Sequence, residues 1–111
     1  MSAHRLKRVE EEIRQVVSSL LLFDLDDPDL KGLAITRVVV TKDLGIARVY
    51  FEGGQSPEQQ KRILQALARA KGFIRNQLAS HLDSRKVPDL TFFYDETLTH
   101  VRRVEQLLKG I

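Results

Sequence analysis

Cysteine is absent from the 111 residues. That excludes disulfide staples, thiolate catalysis and cysteine-rich zinc sites. No apolar run approaches the ~20 residues a membrane-spanning helix needs. The opening MSAHRLKRVEEE lacks the apolar segment of a secretory signal, so a soluble, cytoplasmic protein with no membrane partner is expected. Internal repeats and low-complexity linkers are missing too, and the length suits a single domain over residues 1–111. A chain of this size buries roughly two-thirds of the surface it exposes when unfolded, enough for a modest core.

Catalytic signatures are equally thin. His4, His81 and His100 are far apart in sequence and show no metal-ligand spacing. Ser18, Ser19, Ser80 and Ser84 have no G-x-S-x-G setting. Asp95 and Glu96 are adjacent, and adjacent side chains on an extended chain point apart, which argues against shared acid–base work. Capping or charging the start of a final helix explains them better. The acidic stretch DLDDPDLKG (Asp24 to Gly32) is not an EF-hand loop: counted from Asp24, the places that need Gly and Glu hold Asp29 and Ile35. A solvated turn is expected there. The chain is accordingly read as a non-enzyme, with no catalytic residue, no metal and no cofactor.

What is present is an uneven distribution of charge. Net charge is only +3, yet residues 58–86 carry seven Lys/Arg (Lys61, Arg62, Arg69, Lys71, Arg75, Arg85, Lys86) against Glu58 and Asp83. The segments on either side each sum to about −1. A central basic block favours a polyanionic partner over general stickiness.

Hydrophobic periodicity supplies the elements. Leu6, Val9, Ile13, Val16, Val17 and Leu20 recur at helical spacing, predicting a helix over 3–23. LAITRVVVT (33–41) and IARVYF (46–51) read as strands joined through KDLG, hence an antiparallel hairpin. Ala47, Val49 and Phe51 share one strand face; Arg48 and Tyr50 share the other. Ser56, Pro57 and Gln59 form a helix-start signature. Residues 57–71 then read as a helix with Ile63, Leu64, Leu67 and Ala70 inward, and 73–85 as a second helix with Ile74, Leu78 and Leu82 in line. LTFFYD (90–95) is a third strand, in which Leu90, Phe92 and Tyr94 alternate with Thr91 and Phe93. A last helix over 97–109 runs through Leu98, Val101, Val104 and Leu108. The order is α-β-β-α-α-β-α, an α+β domain with one layer of sheet and one of helices.

Gly72 lies at the predicted junction of the two middle helices. Glycine inside a helix costs about 1 kcal/mol relative to alanine, whereas at a junction it takes a left-handed backbone freely. Two readings stay open: a plain helix cap, or a gap through which a phosphate backbone approaches the amides opening residues 73–85, flanked by Lys71 and Arg75. A three-stranded sheet backed by helices, with a basic helix–Gly–helix edge, is how a KH module grips nucleic acid. The usual KH loop is G-x-x-G; this chain has only Ala70-Lys71-Gly72.

Several motifs carry a resemblance. A-x-G-F-I-R (Ala70 to Arg75), R-K-V-P-D-L-T-F-F-Y-D (Arg85 to Asp95), D-P-D-L (Asp27 to Leu30), T-K-D-L-G-I-A-R-V-Y (Thr41 to Tyr50) and the opening R-L-K-R-V-E-E-E-I resemble, in order, the ribosome-binding factor A family. The resemblance implies a type II KH-like fold in which an A-x-G kink replaces G-x-x-G. It implies a non-catalytic bacterial assembly factor that binds the small (30S) ribosomal subunit. Such a factor assists late maturation of 16S rRNA, including its 5′ end, and supports growth in the cold. Carried onto this chain, the kink is Ala70, Lys71 and Gly72, and the rRNA-facing residues are Arg69, Lys71, Gly72, Arg75, Arg85 and Lys86. The expected state is a monomer, with ribosomal proteins as further contacts. Asp29 departs from the family, which often has a basic residue after Asp-Pro. A competing reading is a protein-interaction module that uses the outer strand face of Arg48 and Tyr50, a face that would equally serve RNA stacking.

Overall fold

The computed structural model describes residues 3–82 and 86–110. Of the stripe its periodicity predicts, helix α1 (Ala3–Phe23) buries Ile13, Val17 and Leu20, with Leu6, Val9 and Val16 partly buried against the core; Leu21 is buried as well. It stops where the amides of Asp24 and Leu25 both return to the Leu20 carbonyl. A single 3₁₀ turn, Pro28–Leu30, follows. The Asp27 side chain caps it by accepting the Asp29 amide at 3.0 Å. Gly32, at φ 77°, then turns the chain into the sheet in a left-handed conformation that suits glycine.

Strands β1 (Ala34–Val40) and β2 (Ile46–Glu52) form the expected antiparallel hairpin. Pairing shifts between Ile35 and Arg37, so Thr36 is the extra residue of a bulge. At the hairpin tip the positive φ belongs to Leu44 (59°), not to Gly45. A non-glycine residue there is disfavoured by roughly 1 kcal/mol or more. Burial of the Leu44 side chain offsets this, and the Leu44 amide bonds the Thr41 carbonyl at 2.9 Å.

The middle of the chain departs from expectation. One continuous helix, α2 (Pro57–His81), replaces the predicted pair. Gly72 is not among the residues at positive φ, so neither a left-handed kink nor a new helix start exists there. The observed order is α-β-β-α-β-α plus the short turn. Leu64, expected inward, is 38% exposed; Ala66 takes the inward place beside Ile63 and Leu67. Leu82 is buried as expected but sits beyond the helix, its extended backbone capping the end through the Leu78 carbonyl. The rest of the predicted second helix, 83–85, lies outside the described residues.

Strand β3 (Asp89–Tyr94) returns beside β2 and runs parallel to it, giving the sheet order β1-β2-β3. A 25-residue helix is the crossover that a parallel neighbour requires. The inner sheet face, with Ala47, Val49 and Phe51 at 0% exposure, packs against α1 and α2. Leu67, Ile74 and Leu78 from α2 complete that core. The outer face is uncovered by any helix of the core, consistent with a shortest dimension of 19 Å, one sheet plus one helical layer.

Helix α3 (Thr97–Lys109) forms where predicted but does not join the core. Val101, Val104 and Leu108 are 44%, 42% and 66% exposed. Its amphipathic pattern is genuine; the core partner the pattern implies is not supplied by the described residues.

Candidate nucleic-acid interface

Helix α2 starts as its sequence dictates. Ser56 Oγ accepts the Gln59 amide at 3.2 Å, and Gln59 Oε1 accepts the amide of Gln55, one residue earlier than in a standard capping box. Along the helix Ile63, Ala66, Leu67, Ile74 and Leu78 form the buried stripe. At about 100° per residue, Arg62 and Arg69 fall on one shoulder of that stripe and Lys71 and Arg75 on the other. Gly72 lies opposite the stripe, on the outermost line of the helix. A Cβ built on Gly72 meets nothing within 4 Å. Ala68 and Ala79 are exposed on the same side, together with the longer Lys61, Gln65 and Asn76, so the low spot is local to Gly72.

The two shoulders differ in what they grip. On the first, Arg69 Nη2 reaches Asp27 Oδ2 at 3.1 Å, and Arg62 Nε lies 3.7 Å from Asp29 Oδ1. The acidic turn is therefore not simply solvated: it meets two α2 cations. Asp27 is held below the usual carboxylate pKa, chiefly by the Asp29 amide and then by Arg69. Asp29, the departure from the family pattern, is an ion-pair partner of the helix. On the second shoulder, Lys71 Nζ meets Asp89 Oδ1 at 3.1 Å and Arg75 Nη2 donates to the Val87 carbonyl at 3.3 Å. Asp89 is lowered in pKa, first by its bond to Lys71 and less by the charge of Arg75.

Of the sequence-predicted residues, Arg69, Lys71, Gly72 and Arg75 thus share one helix but split between its flanks and its crest. Lys86 is separate, donating to the Asp43 carbonyl at 3.3 Å near the hairpin tip. Arg85 falls outside the described residues. Helix amides cannot greet an anion at residue 73, because no helix begins there. Among the described residues, Lys61 has no carboxylate partner.

A second arrangement was only half visible in the sequence. On the outer sheet face, Arg37 of β1, Tyr50 of β2 and Phe93 of β3 fall in one cross-strand row. The Arg37 guanidinium carbon sits 4.0 Å from the Tyr50 ring centre. The Tyr50 and Phe93 rings stack at 5.5 Å with 29° between their planes. Period-two alternation places Tyr50 and Phe93 outward, but only the parallel pairing of β2 with β3 brings them side by side.

Asp95 follows β3 and reaches across to β1. It accepts from Thr36 Oγ1 at 2.5 Å and from the Thr97 amide at 3.0 Å, with Arg37 Nε at 3.9 Å. These contacts, the Thr36 bond foremost and the Thr97 bonds next, hold its pKa at about 2. Asp95 therefore serves the start of α3 as predicted. Glu96, which occupies the cap position itself, makes no side-chain cap bond. Among the described residues no group of three or more His, Cys, Asp or Glu could hold a metal, and no helix is long and apolar enough to cross a membrane.

The ribosome-binding factor A family model matches residues 5–108. Ribosome-binding factor A of Finegoldia magna is 38% identical over 113 residues, covering 100% of this chain and 93% of that protein. The crystal structure of ribosome-binding factor A from Thermus thermophilus superposes with a TM-score of 0.71 at 27% identity, covering 80% of this chain and 94% of that one. A Thermus thermophilus ribosome-binding factor A homology model, fitted into a cryo-electron-microscopy map of its complex with the 30S subunit, gives 0.61 at 26% identity over 86% and 96%. With a family match over almost its whole length and a sheet-and-helix frame shared with solved members, this chain belongs to the ribosome-binding factor A family.

Proposed function

We propose that this chain binds the small ribosomal subunit as a monomeric, cytoplasmic, non-catalytic assembly factor, one KH-like domain over 1–111, and assists late maturation of 16S rRNA, including its 5′ end. The 30S complex of the Thermus thermophilus relative supports the partner. The observation that carries the surface is the crest of α2: a low spot at Gly72, with open space above it, between cationic shoulders. A phosphate backbone laid on that crest would meet Lys71 and Arg75 on one side and Arg69 on the other, with Lys86 as an outlying cation; Arg85, outside the described residues, is proposed as a further RNA contact from the sequence alone. Such contacts position RNA without reading bases, so selectivity would reside in the folded shape of the RNA. Binding would favour one rRNA arrangement only in proportion to its preference for it. Ribosomal proteins at the rim are compatible with this geometry.

Co-sedimentation with purified small subunits tests the reading. Lys71→Gln combined with Arg75→Gln removes two cations without setting a new carboxylate beside Asp89. The expected result is an unchanged circular dichroism spectrum, weaker co-sedimentation, and a salt slope shallower by about 0.7–0.9 for each phosphate that is no longer neutralised. Undiminished co-sedimentation would reject the α2 surface.

A further inference from the structure

The outer face of the sheet lies on the side away from α2, which packs on the inner face. Its outward residues fall in rows set by strand register. Arg37, Tyr50 and Phe93 make one row; Val39, Arg48 and Thr91 make the next. Rows two residues apart are separated by about 6.6 Å along the strands. In the first row three flat groups follow one another, guanidinium on phenol on phenyl, at 4.0 Å and 5.5 Å. The column ends at Phe93, which lies on the edge strand and is 40% exposed. In the second row stands Arg48, exposed and without an ion-pair partner among the described residues.

We infer that this face binds an unpaired stretch of RNA, with one base extending the Arg37–Tyr50–Phe93 column on Phe93 and a neighbouring phosphate on Arg48. Three observations select this occupant. The column is already aligned, so a planar ring adds to it without rearranging side chains. A base is an aromatic plane joined to an anion, and the face offers an aromatic plane beside an unpaired cation, which is complementary in both respects. The exposed aliphatic groups of this face, Val39 and Ile46 at 40% and 42%, are separated from the Tyr50–Phe93 pair by Arg48 and Thr91. That leaves no continuous apolar patch such as the core of a protein interface requires. Duplex RNA is excluded by the same chemistry, because its bases present no free face.

The test uses the intact protein and short dye-labelled single-stranded RNA, read by fluorescence anisotropy. Three probes of equal length are compared: an unmodified strand, the same strand made abasic, and a duplex. The unmodified strand should bind best. Phe93→Ala should weaken it about tenfold, within the range that stacking one base provides. Phe93→Tyr, which keeps the ring, should restore binding. Abasic and duplex probes should not respond to either substitution. Arg48→Gln should weaken both single strands and flatten the salt dependence by about one phosphate. If Phe93→Ala does not fold, Phe93→Leu carries the same expectations, since it keeps apolar volume but has no aromatic face. Equal affinity for unmodified and abasic strands, or indifference of the unmodified strand to loss of the Phe93 ring, overturns the inference and leaves the face to a protein partner or to solvent. Lys71→Gln with Arg75→Gln should leave the Phe93 effect intact, so failure here and failure of the α2 reading are separately visible.

Discussion

Gly72→Ala separates a helix interior from a helix break. In the structure Gly72 is an interior residue of α2, at ordinary helical φ, with no heavy atom within 4 Å of an added Cβ. Alanine there meets no clash, gains helix propensity of about 1 kcal/mol, and narrows the unfolded ensemble. The expected outcome is stabilisation by about 0.5–1 kcal/mol. For a domain near this size that is a rise in Tm of roughly 2–5 °C. Gly32→Ala is the matched control. Its added Cβ also meets nothing within 4 Å, but Gly32 sits at φ 77°. With packing equal at the two sites, only backbone conformation differs, and Gly32→Ala should destabilise by about 1 kcal/mol. Thermal unfolding followed by circular dichroism reads both. If Gly72→Ala lowers Tm, the backbone at Gly72 is not helical and the continuous α2 is refuted. Subunit binding gives the complement: a methyl on the crest should weaken co-sedimentation while the fold becomes more stable. Opposite signs in the two assays would account for a glycine costing about 1 kcal/mol in the middle of a long helix.

Asp95 should set an acid limb of stability. Its pKa in the folded state, about 2, lies below the ordinary 3.8, so its stabilisation is complete above about pH 4 and fades as pH falls towards 2. It amounts to up to ~2 kcal/mol. Asp27, Asp43 and Asp89 are lowered too, so the readout is the difference in unfolding free energy between the wild type and Asp95→Asn, which should shrink over that window; a constant difference would refute the assignment. At the acidic turn, Asp27→Ala should cost about 1 kcal/mol, because it removes the cap of the Pro28–Leu30 turn as well as the ion pair. Arg69→Ala, at an arginine whose side chain is 62% exposed, should cost under ~1 kcal/mol. Urea unfolding of both single variants and the double measures each term and their coupling.

Most of the frame follows from short-range pattern. The α1 stripe, the hairpin and the inward residues of β3 need only periods of 3.6 and 2, which chain geometry imposes locally. Gly72 shows where such reading stops. A glycine amid basic residues has the same sequence signature whether it ends a helix or exposes a helix face. What decides is the unbroken core contact of Ile63, Leu67, Ile74 and Leu78, which outweighs a propensity penalty of about 1 kcal/mol. The hairpin tip makes the converse point. Within KDLG it is Leu44, not Gly45, that takes the positive φ, because its side chain has a place in the core. In α3 the apolar spacing foretold the helix but not the 44%, 42% and 66% exposure of Val101, Val104 and Leu108, since amphipathicity records that a face needs covering and not which molecule covers it.

The charge of the candidate interface needed the third dimension most. Sequence counting gives five Lys/Arg on α2 against one acid, a ridge that reads as free cationic charge. In the fold Arg62, Arg69 and Lys71 already face Asp29, Asp27 and Asp89 within 4 Å. An RNA phosphate reaching these side chains therefore exchanges one anion for another. Both partners of each pair are solvent-accessible, and exposed pairs are worth under about 1 kcal/mol, so exchange is cheap. Its counterion balance is nevertheless altered, because a cation already neutralised by protein releases fewer condensed ions from RNA than a free one. The salt slope of subunit binding should thus fall below the count of basic residues at the interface. Asp27→Asn, which frees Arg69 without deleting it, should steepen that slope; a slope unmoved by Asp27→Asn would place Arg69 outside the RNA contact.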